Sequence, residues 1–324
     1  MRHRPSAFYL LKLSLLSWLL SPLGLSAQNL EVLGEYKIAF IGAQSNQARY
    51  QAAYVGARDA ALELSRQYSI DLEVVELTPK ANEDQVQALA QAFVIEADGI
   101  ILSPSSGVNL IPSLEYAESM GQSIVFFEHG LNDWSPSFEI LADEFEIGRL
   151  MGERLLRELP TQTRVAILHA DPETPALSER LQGIRSALGY RRIEKVVTTA
   201  PDYASAIATI QATEAADKND QISGWVFMED WAMTGFPALP WQPGTKPTIT
   251  LCTNPTTLLY LQQGYVQSLI TQPYYDWGYQ SLQKLAETLH LNQAPEPAQI
   301  ISEAIVIGPN ELKSQQENWK RWLQ

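Results

Sequence analysis

Short apolar runs alternate with longer stretches of helical spacing along almost the whole chain. KIAFIGA (residues 37–43) is compact, apolar and rich in strand formers, and YQAAYVGARDAALELSRQY (50–68) then carries apolar residues at helical intervals. DLEVVEL (71–77) alternates like a strand. NEDQVQALAQAFVIE (82–96) reads as an amphipathic helix opened by Asn82 as N-cap. ADGIILSPSS (97–106) is a strand running out into a polar loop, IPSLEYAESMG (111–121) a helix with proline early and glycine last, and QSIVFFEHG (122–130) a fourth strand. Strands that alternate with helices in this way predict right-handed βαβ units and a parallel sheet.

The order then starts again at RVAILHA (164–170). Gly56 follows Lys37 by 19 residues and opens GARDAAL; Gly183 follows Arg164 by 19 and opens GIRSAL. The two stretches read as an internal repeat offset by 127 residues, hence two α/β lobes of similar design. The second lobe continues with strands at 192–199, 222–230, 247–254 and 266–272, helices at 203–216 and 257–264, a helix to about 291, and a last strand at 298–308. In open parallel sheets ligands bind outside the carboxyl ends of the strands. The loops there are 44–50, 103–107, 128–134, 169–174, 229–231, 253–255 and 272–277, and they are rich in polar and aromatic side chains. Aromatic faces that cover the apolar side of a flat ligand, beside groups that bond its hydroxyls, suit a small polar compound.

The chain begins with Arg2, Arg4 and Lys12, an apolar run at 13–20, Pro22 and the small-residue end GLSA (24–27), which reads as a secretory signal peptide cleaved after Ala27. The apolar run is short for a membrane span, and Pro22 with Gly24 breaks it. Removing residues 1–27 takes away three basic residues and no acidic ones, so a formal net charge of −14 becomes −17. Such a surface repels nucleic acid and anionic membrane. The sole cysteine, Cys252, lies in the strand-like TITLCT (248–253), so no internal disulfide forms. Beyond His3 the histidines are His129, His169 and His290, without metal-site spacing. No cofactor motif is present: there is no GxSxG and no glycine-rich phosphate loop.

Five stretches in this order, KIAFIGAQSNQARYQAAYVGARDAA, ADGIILSPSS, LADEFEIGRLMGE (141–153), MEDWAMTGF (228–236) and GYVQSLITQPYYDWGYQSLQKL (264–285), resemble the periplasmic sugar-binding proteins of the ribose-binding type, soluble receptors of ABC importers. The resemblance spans residues 37–310. It implies a type I periplasmic-binding fold: two parallel-sheet, Rossmann-like lobes joined by a three-crossing hinge, one lobe of residues 37–142 and 273–300 and the other of 143–272 and 301–324. A monomer in the periplasm, with its ligand held between the lobes and closing them by hinge motion, is expected. Carried over position by position, the family's ligand contacts fall on Gln47, Arg49, Tyr50, Ser103, Glu128, His129, His169, Ser178, Tyr203, Glu229, Thr253 and Gln272.

The departures are informative. Arg49 precedes Tyr50 where simple-sugar binders carry an aromatic pair. Glu128-His129 replaces an Asp-Arg pair, Ser178 an arginine, Glu229 an asparagine and Thr253 an aspartate. Gln272 matches outright. The expected ligand is therefore a sugar, a polyol or a related small polar compound, and the expected partner an ABC permease or a membrane sensor kinase. An enzyme is not expected, since Glu128, His129 and Asp143 are the one acid–base set the chain offers.

Overall fold

The computed structural model describes residues 32–324 apart from 82–83, 106, 171–173 and 237–238. The leader reading at 1–27 and the expected cap at Asn82 lie outside the described residues. Two six-stranded sheets form. The first has the order β2-β1-β3-β4-β5-β11 and the second β7-β6-β8-β9-β10-β12. Its strands are β1 (Glu35–Ile41), β2 (Asp71–Glu76), β3 (Gly99–Leu102), β4 (Ser123–Glu128), β5 (Phe138–Ala142) and β11 (Gln299–Ser302). Those of the second are β6 (Arg164–Ala170), β7 (Ile193–Thr199), β8 (Ile222–Phe227), β9 (Thr248–Leu251), β10 (Ser268–Thr271) and β12 (Ile305–Ile307). All pairings are parallel except β10 with β12. The two orders are the same permutation, so the repeat seen in the sequence is a repeat of topology.

Nine α-helices are found among the described residues, with short 3₁₀ turns at Tyr190–Arg192 and Trp231–Met233. The α-helices are α1 (Ala48–Tyr68), α2 (Gln85–Val94), α3 (Ile111–Ser119), α4 (Glu144–Glu158), α5 (Pro175–Leu188), α6 (Tyr203–Ala216), α7 (Thr256–Gln262), α8 (Tyr274–Leu291) and α9 (Leu312–Trp322). The lobes exchange helices. The chain leaves β5 and enters α4, which packs on α5 beside the second sheet; it leaves β10 and enters α8, which packs on α1 beside the first. Both exchanged helices carry glycine at the same place, Gly148 and Gly278, five residues past the N-caps Asp143 and Pro273. A Cβ on Gly278 would overlap the Ala53 carbonyl and one on Gly56 that of Tyr275; Gly148 and Gly183 stand in the same relation to Arg180 and Phe145. The glycines that mark the sequence repeat are thus the contact points at which two backbones meet.

Strand pairing places the third crossing at Glu303–Ala304, because β11 stays on β5 through Ser302 and β12 joins β10 from Ile305. The single strand expected at 298–308 is therefore two strands in two sheets. The last long helix, α8, starts without a side-chain cap. Pro273 occupies the cap position (φ −78°, ψ 61°) in a three-residue turn closed by Tyr274 N–H donating to Gln272 C=O at 2.9 Å, and Asp276 lies in the first helical turn. Asp143 is a true N-cap, accepting from Glu146 N–H at 2.8 Å.

The three crossings are tied together. Trp277 Nε1 donates to Ser302 Oγ at 3.0 Å, and Ser302 Oγ donates to the Leu141 carbonyl at 3.1 Å. Aromatic rings continue the connection: Phe127 to Trp277 (6.3 Å), Trp277 to Tyr274 (5.2 Å) and Tyr274 to Trp319 (6.1 Å). Tyr274 also donates its hydroxyl to the Cys252 carbonyl at 3.1 Å. Through them one hydrophobic core runs from the face of the first sheet under α1 and α8 into the second lobe. The tail helix α9 docks here by Trp319 and Trp322, the latter stacked on Tyr275 at 5.9 Å. Trp134 packs on Phe126 and Trp231 against the cores of the second lobe.

Candidate functional site

The carboxyl ends of the strands carry the charged and amide side chains. In the first lobe, β4 ends on Glu128, whose φ of 70° is rare for a residue with a Cβ. His129 N–H donates to Phe127 C=O at 2.9 Å, so Glu128 is the centre of a three-residue turn of the strained kind. The bend turns the carboxylate back onto its neighbours. Its Oε2 accepts from Ser103 Oγ at 2.7 Å, its Oε1 lies 3.2 Å from Arg49 Nε, and His129 Nε2 is 3.8 Å away. Burial works to raise the Glu128 pKa; Arg49, His129 and the hydroxyls of Ser103 and Tyr50 outweigh it, so the carboxyl sits below its ordinary value.

Arg49 and Tyr50 open α1. The guanidinium lies 4.9 Å from the centre of the Tyr50 ring and donates from Nη2 to its hydroxyl at 3.2 Å. Burial alone would lower the Arg49 pKa, and Glu128, Tyr50, Glu229 and Tyr274 together drive it well above the usual value. Of these groups, Glu229 follows β8 in the second lobe and Tyr274 opens α8. Tyr50 is itself raised by burial.

In the second lobe, Arg180 reaches from α5 to the end of β8 and the start of α4. Its Nε and Nη2 bind Glu144 Oε2 at 2.8 and 2.5 Å, and its Nη1 binds the Met228 carbonyl at 2.6 Å and the Glu229 carboxylate. All three side chains are buried or nearly so. Next to Glu229, Asp230 accepts from Thr253 N–H (2.7 Å), Thr253 Oγ1 (2.9 Å) and Asn254 Nδ2 (2.8 Å). Burial pushes the Asp230 carboxyl up to about 6, against the pull of the Thr253 bonds.

Between these charged groups stand polar atoms with nothing to bind. At these strand ends Gln47 Oε1, Ser105 Oγ, His169 Nδ1 and both carboxamide atoms of Gln272 are buried without a hydrogen-bond partner; elsewhere among the described residues so are Gln122 Oε1, Ser281 Oγ and the indole nitrogens of Trp241 and Trp322. Gln272 and His169 are 5% and 6% exposed, so solvent does not satisfy them. An orphaned buried polar group costs about 1–3 kcal/mol. Several of them at the strand ends of both lobes are what a site for a polar ligand looks like before the ligand arrives.

The candidates taken from the sequence divide accordingly. Gln47, Arg49, Tyr50, Ser103, Glu128 and His129 cluster at the ends of β1, β3 and β4. His169, Glu229, Thr253 and Gln272 sit at the ends of β6, β8, β9 and β10. Thr253 is engaged by Asp230. Tyr203 is held elsewhere: its hydroxyl donates to the Phe236 carbonyl and its ring packs on Gly235. Ser178 is half-buried on α5, and the arginine this helix sends to the strand ends is Arg180, two positions on. Arg180 went unnoticed in the sequence, yet it interrupts the apolar stripe Leu177, Leu181, Ile184, Leu188, where a charged residue needs a buried partner. Gln85 was also missed. Its carboxamide binds Gly42 C=O, Ser103 C=O and Ser105 N–H, and so fixes the loops after β1 and β3.

Residues 38–292 match the family model described as a periplasmic binding protein domain, and the chain belongs to that family. No curated protein sequence matches it. Among solved structures it is similar to a periplasmic ribose ABC transporter protein from Conexibacter woesei (18% identity, 90% of this chain and 98% of that chain covered, TM-score 0.75). It is also similar to the binding protein of the arabinose ABC transporter from Shewanella sp. ANA-3 (15%, 89% and 96%, 0.73). A third is GanP, a glucose-galactose binding protein from Geobacillus stearothermophilus (20%, 86% and 99%, 0.68). At these identities the likeness is one of fold.

Proposed function

We propose that this member of the periplasmic binding protein family is a solute receptor that captures a small polyhydroxylated compound, a sugar or polyol, between its lobes and delivers it to an ABC permease. The observation that carries the reading is the set of orphaned buried polar atoms on Gln47, Ser105, His169 and Gln272 at the strand ends of both lobes. Ligand hydroxyls, each both donor and acceptor, complete such a set. The names of the structural neighbours, all taken from sugar transport, support the same ligand class. The leader-like residues 1–27 and the family support a periplasmic setting.

The test is a thermal-shift screen of the purified protein against pooled pentoses, hexoses and polyols. A ligand present at about 100 times its Kd adds about 2.7 kcal/mol to stability by mass action, which is several degrees of melting temperature. A rise with one pool, traced to one compound, is expected. No rise with any pool removes the carbohydrate reading and leaves the fold untouched.

A further inference from the structure

The charged side chains at the strand ends do not balance. Arg49 and Arg180 face Glu128, Glu144, Glu229 and Asp230, two cations against four carboxylates. Arg180 has no free donor on the sides that bind Glu144, Met228 and Glu229, so it cannot receive an acidic ligand without giving up a buried partner. Arg49 is committed to Glu128 and Tyr50 in the same way. Among the orphaned atoms, Gln47 Oε1 and Gln272 Oε1 are acceptors that a ligand donor would satisfy, beside the single amide donor Gln272 Nε2 and the either-way atoms Ser105 Oγ and His169 Nδ1. An anion entering this site meets uncompensated negative charge in a dry setting, where charge repulsion is several times stronger than in water.

We propose that the ligand is an amino-bearing polyhydroxylated solute, an amino sugar or a close relative, whose ammonium group lies among the Glu128 and Glu229 carboxylates, and that acidic sugars are rejected. This rests on the sugar-receptor reading above and narrows it. The ammonium group supplies three donors and a positive charge where acceptors and negative charge are in excess. Glu229 sets the selectivity from the second lobe and Glu128 from the first.

Titration calorimetry with matched series tests it: D-glucose, D-glucosamine and D-glucuronate, and D-galactose, D-galactosamine and D-galacturonate, at neutral pH and fixed ionic strength. In the series that fits the site, the amino sugar is expected to bind at least tenfold tighter than its neutral parent and the uronate at least tenfold weaker. Glu229→Gln, which keeps shape but removes charge, should bring the amino and neutral sugars within a factor of about three. Should that variant fail to fold through loss of the Arg180 pair, Glu128→Gln gives the same reading. A neutral sugar that binds as well as its amino analogue, or a uronate that binds as well as either, overturns the charge selection while leaving a sugar receptor. A preference that survives in every folded variant overturns the roles of Glu128 and Glu229. Silence from both series overturns the proposal, and the screen of pentoses, hexoses and polyols then decides separately whether the carbohydrate reading stands.

Discussion

Gln272, between β10 and α8, has a buried carboxamide with both polar atoms unpaired. Gln272→Ala therefore removes no hydrogen bond from the ligand-free protein. We expect unfolding free energy to stay within about 1 kcal/mol of wild type, because relief of the orphaned amide offsets lost packing, while ligand affinity falls more than about tenfold. Calorimetry beside a urea titration measures both; unchanged affinity would reject a ligand contact. Asp230 makes a prediction of the opposite kind. Its carboxyl is raised to about 6, above its unfolded value, so the folded state holds an extra proton between about pH 4 and 6. Its contribution to stability is full below the unfolded value and is lost as pH rises through the folded one. Glu128, lowered, contributes above its unfolded value and loses that contribution as pH falls. A carbon NMR titration of the Asp230 carboxyl should show its midpoint near 6; a midpoint below about 4 contradicts the buried environment described.

At the level of elements, the helix pairs α1–α8 and α4–α5 depend on glycines that let backbones touch. Gly56→Ala and Gly183→Ala each place a methyl group inside a neighbouring carbonyl and should cost about 1–3 kcal/mol by chemical denaturation. A variant as stable as wild type would mean that the helices are farther apart than described. Ser302→Ala breaks the relay from Trp277 to Leu141 and leaves a buried indole N–H unpaired, so a loss of about 1–2 kcal/mol is expected. These elements were largely legible in the sequence. Period-two and period-3.6 patterning located strands and helices, and the 19-residue spacing to Gly56 and Gly183 exposed the repeat. Patterning says nothing about which sheet a strand joins, so residues 298–308 read as one strand where backbone pairing makes two. At Pro273 the turn that starts α8 is made by backbone dihedrals, leaving Asp276 free to act in the first turn, where a carboxylate suits the helix N-terminus.

For the whole molecule, topology determined which residues meet. The strand-end loops named from the alternation of strands and helices contain Arg49, Glu128, Glu229 and Gln272, the positions that the family resemblance singles out, because parallel sheets present those ends together. Strand order could not locate Arg180, which approaches from a helix and is identified by its three-way pairing with Glu144, Met228 and Glu229. Nor could it tell that Tyr203 would be taken up by Phe236. Two lobes with polar strand ends are joined through Gln272–Pro273 and the Trp277–Ser302–Leu141 relay, and the proposed receptor function takes these crossings as the hinge whose closure a shared ligand would favour. The most direct test is the lobe-to-lobe distance, measured between spin labels at exposed Glu118 on α3 and Glu179 on α5, with and without the monosaccharide that gives the largest thermal shift. The account predicts a shorter and narrower distance distribution when the sugar is bound; a distribution that does not change under saturating ligand would contradict capture between the lobes.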